Sequence, residues 1–125
     1  MTRRLVYTAM FGNYDLVLPP MAQTSDCEFH IFTDNAALQV DGWQTHFVDL
    51  SQFISGKHAN LHFKSCVFDE LSGFDVSLYV DANVRILCPL DDLFTQFEQS
   101  GAGIGAYRHP LRNSERATSP RKIWL

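Results

Sequence analysis

The stretch "SLYVDANVRI", residues 77–86, indicates how this chain folds. Its first residues are mostly apolar or aromatic and favour β-structure. They predict a strand over residues 76–80 that lies at the centre of a sheet, because a strand covered on both faces is continuously apolar. Asp81-Ala82-Asn83 follows directly, and then the apolar pattern resumes. The strand therefore delivers a carboxylate and an amide to one edge of the sheet.

The rest of the chain alternates between strand and helix patterns. Further strands are predicted at residues 5–10, 28–33, 43–48 and 102–107. The clearest helix is predicted at residues 58–71, where apolar residues recur every four positions and Gly73 follows as a stop signal. This apolar stripe consists of Ala59, Phe63, Val67 and Leu71.

Two shorter helices are also predicted. Ser51 is expected to cap one that runs to Ile54. The other is expected to have Pro89 in its first turn, Asp91 and Asp92 near its positive end, and Gly101 as its stop. Strands that alternate with helices predict an α/β fold with right-handed crossovers.

The composition predicts one globular domain without a strongly charged partner. The chain has 125 residues, of which 46% are hydrophobic and 19% charged, and this is typical of soluble proteins. The net charge of −4 disfavours nucleic acid as a partner, and no apolar run is long enough to span a membrane. We expect a domain over residues 1–111, followed by a polar tail, or the start of a further part, over residues 112–125.

The three cysteines, Cys27, Cys66 and Cys88, are widely spaced and form no CxxC motif. An odd number at such spacing argues against a disulfide framework or a zinc site. Cys66 lies beside the apolar stripe, which favours a place in the core over a role as nucleophile. We therefore expect reduced thiols and a cytoplasmic protein.

Polar groups follow three of the predicted strands, at residues 8–15, 33–35 and 81–83. Ligands bind beyond the carboxyl ends of parallel strands, so we expect these groups to share one crevice. Asp81 and Asn83 are two positions apart, which in extended chain places both side chains on one side. Two such oxygens suit Mg²⁺ or Mn²⁺ shared with the phosphates of a substrate. The alternative is that they only end the strand and cap a turn.

Basic and histidine side chains near this edge each have two interpretations. Lys57 and Lys64 lie on a helix face from which a lysine can approach a diphosphate, or they form a solvated surface. His58 and His62 have the spacing of two helical metal ligands, but no nearby motif supplies a third, so we interpret them as surface residues. His109 follows the last predicted strand and either lines the crevice or caps the strand.

Five motifs in one order carry a resemblance to a known family. They are "YTAMFGNYD" at residues 7–15, "FTDN" at 32–35, "FK" at 63–64, "SLYVDANVRI" at 77–86 and "YRHP" at 107–110. This order resembles a family of glycosyltransferase-like proteins long described as a domain of unknown function, which includes mucilage-related plant proteins and many bacterial ones. It is similar, more distantly, to family 8 glycosyltransferases with their DxD strand end.

The resemblance implies a GT-A fold, a Rossmann-like sandwich that binds a nucleotide sugar, here short at its carboxyl end. It implies a UDP- or GDP-linked donor, a glycan or other hydroxyl acceptor, and Mn²⁺ or Mg²⁺. The implied site residues are Thr8, Ala9, Phe11 and Tyr14 at the base and ribose, Asp34 beside them, Asp81 and Asn83 at the metal and diphosphate, Lys64 at the phosphates or sugar, and His109 at the sugar or acceptor. No catalytic base is identified.

Two other hypotheses stay open. The chain is short for a GT-A domain, which favours as an alternative a non-catalytic nucleotide-sugar-binding or interaction module. Such a module is expected to form a homodimer through an exposed apolar face. A phosphatase with a strand-end aspartate as nucleophile is the third hypothesis. It is disfavoured because Val84-Arg85 follows the polar tripeptide where such enzymes have Gly-Thr.

Overall fold

The computed structural model describes residues 3–12, 16–23, 27–65 and 69–105. Its strands are β1 (Arg4–Met10), β2 (Cys27–Thr33), β3 (Gln44–Phe47) and β4 (Val76–Tyr79). Its α-helices are α1 (Gly56–Ser65) and α2 (Asp91–Ser100), and short 3₁₀ helices lie at Leu50–Gln52 and Asp69–Leu71. The four strands thus lie close to where the sequence predicts them. The helix predicted over residues 58–71 is instead α1, which begins at Gly56 and ends at Ser65, and Asp69–Leu71 forms a separate 3₁₀ helix.

The strands form one parallel sheet in the order β3-β2-β1-β4. β1 pairs along its whole length with β2, from Arg4 opposite Cys27 to Met10 opposite Thr33. The chain steps outward from β1 to β3, then returns to the other side of β1 to form β4. The direction of winding reverses between β1 and β4, and crevices form beyond the carboxyl ends of strands at such a reversal.

Each face of the sheet buries its own apolar cluster. On one face Val6, Met10 and Ile31 pack with Phe94 of α2. On the other face Leu5, Tyr7, Ala9 and Phe32 pack with Ala59 and Phe63 of α1. Successive residues of β1 alternate between these clusters, as side chains on a strand must. The predicted α/β architecture is therefore confirmed, with a helix packed on each face.

The helix boundaries follow from local capping. The hydroxyl of Ser55 accepts a hydrogen bond from the His58 amide at 3.1 Å and so satisfies a free N–H at the start of α1. Ala59 and Phe63 of the predicted stripe are buried, whereas Val67 lies outside the described residues. α2 has Asp91 and Asp92 in its first turn and ends at Gly101 with φ 73°, a left-handed stop that suits glycine. The prediction for α2 is confirmed except at its start, because the N-cap is Leu90 and Pro89 precedes the helix instead of lying in its first turn.

Three predictions of local structure are wrong. The 3₁₀ helix at Leu50–Gln52 is capped by Asp49, whose side chain accepts from the Ser51 amide, and not by Ser51. The described part of the predicted strand at 102–107, residues 102–105, has no β-structure, because the glycines there weaken a strand. β4 is not central: within the described residues it ends the sheet, and Ser77 is exposed on it.

None of the helices in the described ranges combines the length and apolar character that a membrane crossing requires.

Candidate functional site at the carboxyl edge of the sheet

The carboxyl ends of β1 and β2 are joined by a carboxylate. Oδ1 of Asp34 accepts a hydrogen bond from the Gly12 amide at 3.1 Å. Gly12 has a φ of 89°, in the left-handed region that glycine enters without strain. The chain after β2 is held by a second turn, in which Oδ1 of Asn35 accepts from the Ala37 amide at 3.0 Å. The structure therefore brings together the first two of the three predicted polar groups.

The polar tripeptide after β4 forms a turn instead of extended chain. The Val84 amide donates to the carbonyl oxygen of Asp81 at 2.9 Å, which closes the turn. Ala82 points inward and is 5% exposed, in the cluster that also contains Ile86. The expectation that Asp81 and Asn83 lie in extended chain is wrong, because Asp and Asn favour turns and the buried Ala82 anchors this one. Both polar side chains are exposed.

Lys64, in the last turn of α1, faces Asp81. Its Nζ atom lies 3.9 Å from Oδ1 of Asp81 and 5.8 Å from the centroid of the Tyr79 ring. The two side chains are 36% and 55% exposed. An ion pair this long and this exposed contributes little to stability. Both charges are therefore available to a ligand at small cost to the fold.

A cavity of about 410 Å³ opens beside the carboxyl end of β1, a volume in the range of small-molecule sites. Its lining consists of Phe11, Gly12, Leu50, Gly56, Lys57 and Asn60. Lys57 is exposed to solvent, as one of its two interpretations predicts, and its side chain also lines this cavity. Leu50, Gly56 and Asn60 were not among the predicted site residues. They come from a 3₁₀ helix and the start of α1, and no sequence motif marks such positions.

The residues implied for the nucleotide base and ribose differ in their access to this edge. Thr8 and Ala9 are each 1% exposed, so their side chains lie in the core. The hydroxyl of Thr8 has no hydrogen-bond partner among the described residues. Phe11 is buried but lines the cavity. Tyr14 and His109 lie outside the described residues.

Asp34 and Asp81 stand on opposite sides of the end of β1. Asp34 follows β2 and Asp81 comes soon after β4, and these two strands flank β1. Neighbouring strands lie about 4.8 Å apart, so the strands that precede the two carboxylates run roughly 10 Å apart across the sheet. A ligand with its polar groups at both ends can reach both.

The oxygen donors at the end of β4 suit a weakly held cation. No cluster of three or more His, Cys, Asp or Glu side chains with metal-binding geometry occurs in the ranges that the structure covers. Asp81 and Asn83 offer two oxygens on one exposed turn. Mg²⁺ and Mn²⁺ accept such a set when waters and substrate phosphates supply the other ligands. The donor set therefore fits an ion shared with a substrate better than a resident ion.

Comparison with known proteins gives no relative for this site. No family model, curated protein or solved structure matches the chain.

Proposed function

We propose that the chain is a nucleotide-sugar-binding domain of the glycosyltransferase type, with a GT-A-like fold. The observation that carries the proposal is the arrangement at the carboxyl edge. Asp34 is bonded to Gly12 on one side of β1, and Asp81 faces Lys64 on the other. The reversal of winding between β1 and β4 lies at the same edge. The resemblance drawn from the sequence motifs supports the same proposal.

The two sides of β1 suit the two ends of a nucleoside diphosphate. Asp34 already accepts one hydrogen bond, and the further lone pairs of its carboxylate can accept from a ribose hydroxyl or a base N–H. The cavity beside Phe11 offers an apolar wall for the base. On the other side, Lys64 provides a positive charge for the phosphates. In this assignment the nucleotide lies across the end of β1.

Glycosyl transfer breaks the bond between the anomeric carbon and the diphosphate oxygen. Negative charge then develops on the departing nucleoside diphosphate, and a cation placed there stabilises the transition state. Lys64 would supply such a charge once the phosphates compete with Asp81 for its ammonium group. When bound, a divalent ion held by Asp81 and Asn83 would neutralise the same oxygens. The acceptor oxygen would bond to the anomeric carbon as the bond to the diphosphate oxygen breaks, and its proton would pass to water or to the departing phosphate.

Calorimetric titration with UDP and with GDP, each with and without Mn²⁺, tests the proposal. We expect binding that depends on the metal for one of the two nucleotides. Asp81→Ala should weaken that binding by about tenfold or more, because it removes the only charged oxygen donor of the turn. Asp41→Ala is the matched control, since Asp41 is an exposed carboxylate in the connection between β2 and β3. It should bind as the unchanged protein does.

The same titration separates the proposal from its alternatives. Equal affinity in Asp81→Ala and in the unchanged protein, or no binding of either nucleotide, would contradict the proposed site. Binding without release of sugar from UDP- or GDP-linked donors would support the non-catalytic module. Hydrolysis of a generic aryl phosphate that is lost in Asp81→Ala would support the phosphatase hypothesis instead.

A further inference from the structure

The face of the sheet that packs against α1 carries a row of titratable side chains outside the candidate site. Glu28 and His30 belong to β2, and His46 belongs to the neighbouring β3. Oε1 of Glu28 lies 3.0 Å from Nε2 of His30, and Nδ1 of His30 lies 2.8 Å from Nε2 of His46. These contacts form a continuous series across two strands, which we call the Glu28–His30–His46 chain.

The two imidazoles lie among aromatic rings. His30 is 6% exposed and meets the ring of Phe74 edge to face at 5.7 Å. The ring of His46 lies 4.7 Å from that of Phe32, with the two planes 16° apart. Phe32 stacks in turn on Phe63 of α1 at 5.0 Å. The pair is therefore partly shielded from water. In such surroundings an added charge is costly.

Charged groups reach the pair from several elements. Arg3, before β1, bonds Glu28 at 3.1 Å. Glu70, in the 3₁₀ helix at Asp69–Leu71, favours the charged form of His46. α1, which packs on this face through Phe63, carries the titratable His62 next to that residue. Burial lowers the pKa of His46, and the charge of His30 lowers it further, so these effects outweigh Glu70.

The bond between the two imidazoles requires one donor and one acceptor. When both rings are neutral, His30 can donate to Glu28 while its other nitrogen accepts from His46. When one proton is added, His30 can donate from both nitrogens, to Glu28 and to His46, and the bond survives. A second proton makes both facing nitrogens donors. The bond is then lost, and two positive rings face each other with centroids 4.7 Å apart.

We propose that the Glu28–His30–His46 chain is a pH-sensitive latch that holds β3 against β2 and opens when both imidazoles are protonated. β3 has four residues and, within the described part of the chain, pairs with β2 alone. Its last residue, Phe47, is 60% exposed. His46 is therefore a principal side-chain anchor of this strand on the α1 face.

Opening of the latch would reach the carboxyl edge through the backbone. The Val48 amide, directly after β3, donates to the carbonyl of Thr33 at 2.8 Å. Two residues further on, Leu50 lines the cavity. A β3 that separates from β2 would therefore move one wall of that cavity. The latch itself is independent of the proposed function, because it needs no nucleotide.

Hydrogen exchange of the β3 amides, without any ligand, tests the latch. We compare about pH 7.5 with about pH 5, a range that spans histidine titration, and correct the rates for the intrinsic effect of pH. Protection of residues 44–47 should fall by about tenfold or more at the lower pH, because the strand opens locally. Protection of β1, at the centre of the described sheet, should change by less than about twofold.

His46→Phe is the test variant, because it keeps a ring beside Phe32 but cannot take up a proton. It should abolish the pH-dependent loss of protection in β3. The control is His58→Gln, since His58 is exposed on α1 outside the pair and its replacement should keep the loss. An unchanged loss in His46→Phe would overturn the proposal, as would an equal loss in β1.

A second measurement keeps the proposal testable if His46→Phe does not fold. The ¹⁵N shifts of the imidazoles in the unchanged protein report which nitrogen carries a proton. We expect Nδ1 of His30 to be an acceptor when the pair is neutral, and the β3 amide shifts to change only with the second protonation. Two rings that titrate with no change in the β3 amides would contradict the latch.

Discussion

The two ends of the sheet hold their charges in different ways. At the amino end Arg3 donates to the Gly73 carbonyl at 2.6 Å and to Glu28 at 3.1 Å, and its amide donates to Asp75. Arg4 there binds Glu98 through two hydrogen bonds, at 2.8 and 3.0 Å. At the carboxyl end Lys64 and Asp81 approach only to 3.9 Å.

The lengths of these contacts distinguish charges that hold the fold together from charges that a ligand can engage. The amino-end arginines make short, directed bonds and also pack on rings, with Arg3 4.5 Å from the centroid of Phe74. Such groups hold segments distant in sequence together. The carboxyl-end charges lack short bonds to each other, so a ligand can engage them without breaking the fold. The proposed function depends on this contrast.

The largest expected effect concerns the core between the two ends. Phe32→Ala should lower the free energy of unfolding by about 3–5 kcal/mol, because Phe32 is 1% exposed and its loss leaves a cavity. Phe47→Ala, on the adjacent strand, is the control, and it should change stability by less than about 0.5 kcal/mol. Urea denaturation measures both. Equal losses would show that β3 is more deeply packed than the structure indicates.

The next largest effect is on the reactivity of the Cys27 thiol, at the amino end of the sheet. Burial raises the pKa of the Cys27 thiol to about 11 from an ordinary value of 9.0. At about pH 8 its alkylation should therefore be about 100-fold slower than that of an unperturbed thiol, since the thiolate reacts. Peptide mapping after timed treatment with iodoacetamide gives the rate, with the exposed Cys88 as internal reference. Equal alkylation rates at the two cysteines would contradict the burial of Cys27 at the start of β2.

The stability of the protein should also depend on pH through His46. The pKa of His46 is lowered from its ordinary 6.5, chiefly by burial, so the unfolded chain takes up this proton first. The contribution of His46 to the free energy of unfolding is fully present above about pH 6.5. It is lost as the pH falls through the lowered pKa of His46 in the folded protein. Urea denaturation across this range should show the decline, and His46→Phe should flatten it. A stability that rises on acidification would contradict the assigned direction.

The hydrogen bond from His30 chiefly lowers the pKa of Glu28 from its ordinary 4.5. Its stabilising effect is present above that value and is lost at lower pH, as the pH falls through the lowered pKa. On acidification, the loss of stability that is due to Glu28 therefore begins at a lower pH than the loss that is due to His46.

The smallest expected effect is on the stability of the carboxyl end. Lys64→Met should change the free energy of unfolding by no more than about 0.5 kcal/mol, as is usual for an exposed ion pair. Arg4→Met should lower stability clearly more, because it removes two short bonds to Glu98 and a contact with the Phe94 ring. Thermal denaturation of the two variants side by side makes the measurement. A larger loss in Lys64→Met would remove the contrast between the two ends.

The sequence predicted the parts of the fold that depend on local pattern. The apolar runs located all four strands to within about two residues, and the stop at Gly101 was located correctly. The position of β4 was predicted wrongly, because apolar character does not distinguish an edge strand from a central one. The cap on Leu50–Gln52 was missed, because Asp49 and Ser51 both favour capping positions.

The candidate site was only partly accessible from the sequence. The strand-end residues Asp34 and Asp81 were predicted, since carboxyl ends of parallel strands share one edge. The cavity wall formed by Leu50, Gly56 and Asn60 was not, because its members are brought together by tertiary packing. The same holds for His30 and His46, which are 16 residues apart and become neighbours only through the pairing of β2 with β3.

The most direct test of the central claim is a map of nucleotide binding on the ¹⁵N-labelled chain. UDP and GDP are titrated in turn, with Mg²⁺ present, and the amide shifts are followed. If the nucleotide lies across the end of β1, the shifts should concentrate at Gly12, Asp34, Lys64 and the turn over residues 81–84. An absence of shifts with both nucleotides, or shifts centred on Arg3, Glu28 and Asp75 at the amino end, would contradict it.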